Sequence, residues 1–89
     1  MPMVSFTRAL ERFLEASSAE VDGVTVGEAL LAVFASRPAL RGYVLDDQGA
    51  LRRHVAVYVN GRLVGDRVGL SDPVGARDEI YVFQALSGG

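Results

Sequence analysis

Cysteine is absent from the 89 residues, which excludes disulfides and thiolate metal sites. Any sulfur handled by such a chain cannot rest on a side-chain thiol. Lysine is absent too, and all nine basic residues are arginine, a bias that fits a chain also rich in Ala, Val and Gly. The single histidine, His54, would have to serve any Ser-His-Asp arrangement, and no nucleophile motif accompanies it. With one histidine and no cysteine, a structural zinc site is not expected. The glycines form neither G-x-G-x-x-G nor a P-loop, so no nucleotide cradle is indicated. Met1 to Phe6 lacks a basic stretch followed by an apolar run, so it does not read as a signal peptide. No apolar run approaches the roughly 20 residues that span a bilayer. A net charge of −2, with Arg52 and Arg53 the only adjacent basic pair, offers no electrostatic footprint for nucleic acid. The expectation is a cytoplasmic protein with no catalytic residues, bound cofactor or metal of its own, and no nucleic-acid or membrane partner.

What is present describes one modest globular domain, with 49% hydrophobic and 22% charged residues. Val4 and Phe6 alternate with polar neighbours and predict a first strand over Met3–Thr7. Leu10, Phe13 and Leu14 have the spacing of a short helical turn. A short second strand fits around Ala19–Val21. Thr25 and Glu28 have capping-box spacing, and Val26, Leu30, Val33 and Phe34 form the apolar stripe of a helix facing a sheet. Pro38 stops that helix. Ala39–Leu51 reads as a long connection with Gly42, Asp46, Asp47 and Gly49 as turn residues, and nothing nearby completes a site around the two aspartates. Arg52 lies at the far side of this connection, with no evident link to the C-terminus.

His54–Val59 predicts the strongest strand, with Val55, Val57 and Val59 on one face and His54, Ala56 and Tyr58 on the other. Asn60-Gly61 is the pair favoured in a tight hairpin turn, from which Arg62–Val64 returns. Gly65–Ala76 is turn-rich. Glu79–Leu86 predicts the final strand, Ile80 and Val82 alternating with Tyr81 and Phe83. Ser87-Gly88-Gly89 then leaves as a bare tail. The pattern is α+β: a sheet with one main helix packed on one face.

Chemistry concentrates at that tail. Two glycines after a strand extend without side chains, thread a narrow channel, and let the backbone approach a bound nucleotide. A carboxylate is a poor electrophile, but joined to AMP it becomes a mixed anhydride with a good leaving group. Sulfide or a persulfide then displaces AMP and leaves a thiocarboxylate. The chain need supply only the carboxylate of Gly89 and a docking surface, for which Phe83 and Leu86 are the candidates nearest the tail. Core packing is the competing reading for both. An activated terminus would meet no lysine on its own chain.

Thr25 followed by Val26-Gly27-Glu28-Ala29-Leu30, then Val57-Tyr58-Val59-Asn60-Gly61, Asp78-Glu79-Ile80 and the closing Gly88-Gly89 resemble the ubiquitin-like sulfur carriers. These include the small subunit of molybdopterin synthase, the thiamin sulfur carrier and the carrier of an alternative cysteine synthesis. The resemblance implies a β-grasp fold, a mixed sheet of four to five strands, over a single domain spanning 1–86, with 87–89 a flexible tail. It implies that Gly89 is adenylated and converted to a thiocarboxylate, with Gly88 its slender neighbour and Ser87 where many relatives have alanine. ATP and magnesium would be used by the activating enzyme, not bound by this chain. Leu45–Arg52 is most similar to the cysteine-synthesis and molybdopterin types, whereas Phe83-Gln84-Ala85 looks more like thiamin carriers. The order of acceptor pathways is therefore cysteine synthesis, molybdopterin, then thiamin. Expected partners are an adenylating enzyme, a sulfur-accepting synthase such as a cysteine synthase, and a metalloprotease that trims the tail. Two other readings stand beside this one: a modifier joined through Gly89 to lysines of other proteins, and a plain interaction domain whose glycines are incidental.

Overall fold

Thr25 fixes where the main helix begins. Its backbone is extended, and its Oγ1 accepts from the N–H of Glu28 at 3.1 Å. The Glu28 carboxylate reaches back to the N–H of Val24 at 3.0 Å, one residue earlier than a capping box requires. Helix α1 (Val26–Ser36) then buries Val26, Ala29, Leu30, Val33 and Phe34, the predicted stripe. The computed structural model describes residues 1–7 and 18–84. The helical turn expected at Leu10–Leu14, and the final residues Ala85–Gly89, lie outside them.

The first correction follows α1 directly. Pro38 ends one helix and starts another, α2 (Pro38–Val44), inside the stretch read as a connection. Arg37 breaks the path with φ −134° and ψ 69°, as the residue before a proline tends to. Proline suits the first turn of a helix because its missing N–H would be unsatisfied there anyway. Leu40 and Val44, four apart, are both fully buried and fasten α2 to the core. Among the described residues no helix is long and apolar enough to cross a membrane.

The strands are β1 (Met3–Phe6), β2 (Ser18–Glu20), β3 (Val55–Val59), β4 (Arg62–Leu63) and β5 (Glu79–Gln84). They form one sheet in the order β2-β1-β5-β3-β4. β1 and β5 run parallel, with Val4 opposite Ile80, and the other pairs are antiparallel. Parallel neighbours require a crossover connection, and the helices lie within it. Val4, Phe6, Val55, Val57, Ile80 and Val82 bury one sheet face together with α1 and α2.

Strand limits moved slightly. β2 sits one residue earlier than expected: Val21 leaves the ladder but buries its side chain and donates to the Pro2 carbonyl at 3.0 Å. His54 falls outside β3, in the turn closed by the bond from Val55 N–H to the Arg52 carbonyl. Val64 lies outside β4 yet keeps a ladder bond to Val57. Asn60 and Gly61 have φ of 50° and 82°, the twin positive values of the tight hairpin turn their identities predicted.

The turn-rich segment between β4 and β5 has a task the sequence did not reveal. The Asp72 carbonyl accepts from Val26 N–H and the Leu70 carbonyl from Gly27 N–H, each at 2.9 Å. With Thr25 capping Glu28, the first three N–H groups of α1 are all bonded. A side chain at Gly27 would put its Cβ 3.3 Å from the Leu70 oxygen, so glycine lets the loop lie this close. Leu70 accepts a φ of 54°, unusual for leucine, while its side chain is buried. The loop is braced by carboxylates. Asp66 accepts from Ser71 Oγ at 2.6 Å and from the N–H groups of Gly69, Ser71 and Val68. These bonds, the Ser71 hydroxyl foremost, hold its carboxyl at about 2 against a usual 3.8. Asp72 accepts from Gly65 and Asp66 N–H, which lowers its pKa also.

Candidate functional site

The strand that leads to the tail is central, gripped from both sides. Gln84, the last described residue of β5, is paired with Val55, and its N–H points to Thr7 Oγ1 at 3.4 Å. Thr7 N–H in turn bonds the Val82 carbonyl at 3.0 Å. Five residues follow Gln84 in the sequence. At about 3.4 Å per extended residue, Gly89 lies within roughly 17 Å of Gln84. That reach ties the expected site, Gly89, to this end of the sheet. Leu86, Ser87, Gly88 and Gly89 themselves lie outside the described residues.

Of the two docking candidates, Phe83 can be placed. It is 42% exposed, and Tyr81 on the same strand is 41% exposed, so neither ring belongs to the core. Ile80 and Val82 between and beside them are fully buried, the alternation expected of a strand with one face covered. Across the ladder Tyr81 stands opposite Tyr58, and Phe83 opposite Ala56. Tyr58 also faces the exposed Leu63 of β4. The sheet face away from the helices thus carries a row of aromatic and aliphatic side chains running toward the start of the tail. The sequence marked Phe83; Tyr58, Tyr81 and Leu63 join it only through strand register.

The far end of the sheet is built differently. Asn60 accepts from Glu79 N–H through Oδ1 and donates through Nδ2 to Asp78, both at 2.9 Å. Its own N–H bonds the Glu79 carbonyl. Asp78 also accepts from Gly75 N–H at 2.7 Å, and these bonds, Gly75's first, lower its pKa. The hairpin and the start of β5 are locked together by this arrangement. An open cleft of about 360 Å³ lies there, lined by Val59, Asn60, Arg62, Leu63, Asp72, Pro73 and Asp78. It is at the opposite end of β5 from Gln84.

Among the described residues no three His, Cys, Asp or Glu side chains are grouped to hold a metal. His54 is exposed in its turn, with no part in a catalytic arrangement among the described residues. The N-terminus of α1, a place where anions often bind, is filled by the Asp72 and Leu70 carbonyls.

Helices packed on a five-stranded mixed sheet whose central strand is the last make the β-grasp arrangement. Residues 5–89 match the ThiS family. The chain belongs to that family. It is 39% identical over 71 residues to small archaeal modifier protein 1 of Haloferax volcanii, covering 79% of this chain and 77% of that protein. The crystal structure of that SAMP1 superposes with a TM-score of 0.80 at 32% identity, over 99% of this chain and 98% of the other. A chain of the Amycolatopsis orientalis BexX/CysO complex gives a TM-score of 0.88 at 27% identity, with full coverage of both chains. Mycobacterium tuberculosis CysO shares the fold, with a TM-score of 0.84 at 24% identity over 97% of this chain and all of that one. The chain is thus a ubiquitin-like member of a family of small carriers and modifiers rather than catalysts.

Proposed function

We propose that this ThiS-family chain is a sulfur carrier whose working group is the carboxylate of Gly89. The observation that carries the reading is the family match running through residue 89, on a chain that ends in Gly88-Gly89 five residues beyond a central strand. A carboxylate oxygen of Gly89 attacks the α-phosphorus of ATP held with magnesium by an activating enzyme. Pyrophosphate leaves and an acyl-adenylate forms. A hydrosulfide or persulfide sulfur adds to the acyl carbon, AMP departs, and a thiocarboxylate remains after any persulfide S–S bond is reduced by a thiol. A domain over 1–86 with a flexible 87–89 tail suits this, because the partner can enclose the glycines without disturbing the core. The exposed Tyr81 and Phe83 supply the apolar area that two glycines lack. The acceptor order is cysteine synthesis, then molybdopterin, then thiamin, after the character of Leu45–Arg52.

A second reading has its own support, the 39% identity to small archaeal modifier protein 1. There a lysine amine of another protein attacks the same acyl-adenylate, and an isopeptide bond replaces the anhydride. One experiment separates them. The full chain is incubated with its activating enzyme, ATP, magnesium and a sulfur source, and intact mass is read. A gain of about 16 Da, sulfur for oxygen, supports the carrier. Accumulation only as adducts on other proteins supports the modifier. Deleting Gly88 and Gly89 should abolish both products while leaving the melting curve unchanged, since the pair adds almost no apolar burial. No new mass on a folded chain with an active enzyme would refute both readings.

A further inference from the structure

The start of β3 gathers two arginines and a histidine beside the last described residue before the tail. Arg52, Arg53 and His54 immediately precede Val55, and Val55 is the partner of Gln84. Arg53 and His54 are exposed. Arg52 donates from Nε to the Gly42 carbonyl at 2.7 Å, which sets its guanidinium against the last turn of α2, where Arg41 is exposed. Arg67 donates from a guanidinium nitrogen to the Arg52 carbonyl at 2.8 Å and brings another cation to the same corner. Both acceptors are backbone carbonyls, so neither offsets a full positive charge. Of the nearby carboxylates, Asp46 bonds Gln48 and Ala50 N–H within its own loop, and Asp66 bonds Val68, Gly69 and Ser71. Arg52 itself stands three residues before Val55, the partner of Gln84. The opposite end of the sheet carries Glu20, Asp78 and Glu79 along with Arg62 and Arg77. A chain of net charge −2 thus places an arginine-rich corner next to its tail.

We propose that this corner, with Arg53 and His54 at its exposed edge, docks against an acidic surface of the activating enzyme bordering the channel that admits Ser87–Gly89. The inference rests on the sulfur-carrier reading and adds a surface to it. Val55 lies about 5 Å across the ladder from Gln84, and Arg53 and His54 stand in the turn that leads into it. Gly89 can lie up to roughly 17 Å away, about two screening lengths at physiological salt. With the tail extended, the charges act on association rather than on the reacting carboxylate. They belong to the rim of the contact around the apolar row of Tyr81 and Phe83, where charge governs encounter rate and salt dependence.

The test is adenylation of the full chain by its activating enzyme, followed as ATP–pyrophosphate exchange with carrier and ATP varied separately. Arg53→Glu combined with His54→Glu should raise KM for the carrier about tenfold at low salt, with kcat and KM for ATP unchanged. At roughly 0.5 M salt the gap between variant and wild type should shrink severalfold. Arg77→Glu, at the other end of the sheet, controls for a charge reversal elsewhere on the chain and should leave KM within about twofold. An unchanged KM in the double variant overturns the proposal, as does an equal rise in Arg77→Glu. A change confined to kcat or to KM for ATP also overturns it, because the corner would then act on the nucleotide. If the folded wild-type chain is not adenylated at all, the sulfur-carrier reading falls and takes this surface with it. Normal adenylation of wild type and double variant alike removes only this surface.

Discussion

Helix α2 gives opposite signs to two substitutions four and two residues into it, and a loose connection would give neither. Gly42 sits inside Pro38–Val44, and a Cβ built there meets nothing within 4 Å. Glycine in a helix interior is less favourable than alanine by roughly 0.5–1 kcal/mol, through the backbone freedom it loses. Gly42→Ala should therefore stabilise the protein by about that amount. The bond from Arg52 Nε to the Gly42 carbonyl is untouched, because it uses the main chain. Leu40 is fully buried, so Leu40→Ala should cost about 2–5 kcal/mol through lost burial and a residual cavity. Against a total of roughly 4–13 kcal/mol for 89 residues, that is a large fraction. Gly49, with φ 84°, supplies the contrast: Gly49→Ala has the same open space but a strained backbone, and should destabilise. The assay is urea unfolding followed by circular dichroism, with the midpoint compared at constant slope. At about 4–8 °C per kcal/mol, Gly42→Ala should raise the melting temperature by several degrees and Leu40→Ala lower it by more than ten. Destabilisation by Gly42→Ala, or a Leu40→Ala cost below about 1 kcal/mol, would refute a packed helix here.

Two further outcomes follow from the other end of α1 and from the loop that caps it. Thr25→Ala removes the acceptor for Glu28 N–H and should cost about 1 kcal/mol, with Thr25→Ser nearly neutral, as read by the same unfolding curves. Asp66 has a folded pKa of about 2, below its usual 3.8, so it contributes stability above pH 4 that is lost as pH falls from about 4 toward 2. Asp66→Asn should flatten that part of the stability–pH curve, and an unchanged acid limb would show that the Ser71 and Gly69 bonds do not hold in solution.

The elements legible in the sequence were those whose signal is local. Thr25 with Glu28 marked the start of α1, Val55, Val57 and Val59 alternated, and Asn60-Gly61 announced its turn through the conformations those residues tolerate. α2 was missed because Pro38 carries two meanings, and its role as a stop concealed its role as a start. Leu40 and Val44, four apart, were the signal that could have found it. The loop after β4 read only as turns because its bonds to Val26 and Gly27 join residues distant in the chain. Of the candidate site, Gly89 and Phe83 could be named from the sequence. Tyr58 and Arg53 could not, since both reach the tail end only through the register of β3 on β5. The likeness of Val57–Gly61 and Asp78–Ile80 to family motifs has a physical basis, for Asn60 bonds Asp78 and Glu79 directly.

The position of β5 has a mechanical consequence. A partner that closes on the last glycines and draws them in pulls along a strand flanked by β1 on one side and β3 on the other. Such a pull loads both ladders in shear, and hydrogen bonds along Met3–Phe6 and Val55–Val59 share the force. The same five residues attached to β4, paired on one side through two residues, would peel away one bond at a time. A strand held in the middle of the sheet can bear such a pull without the fold coming apart.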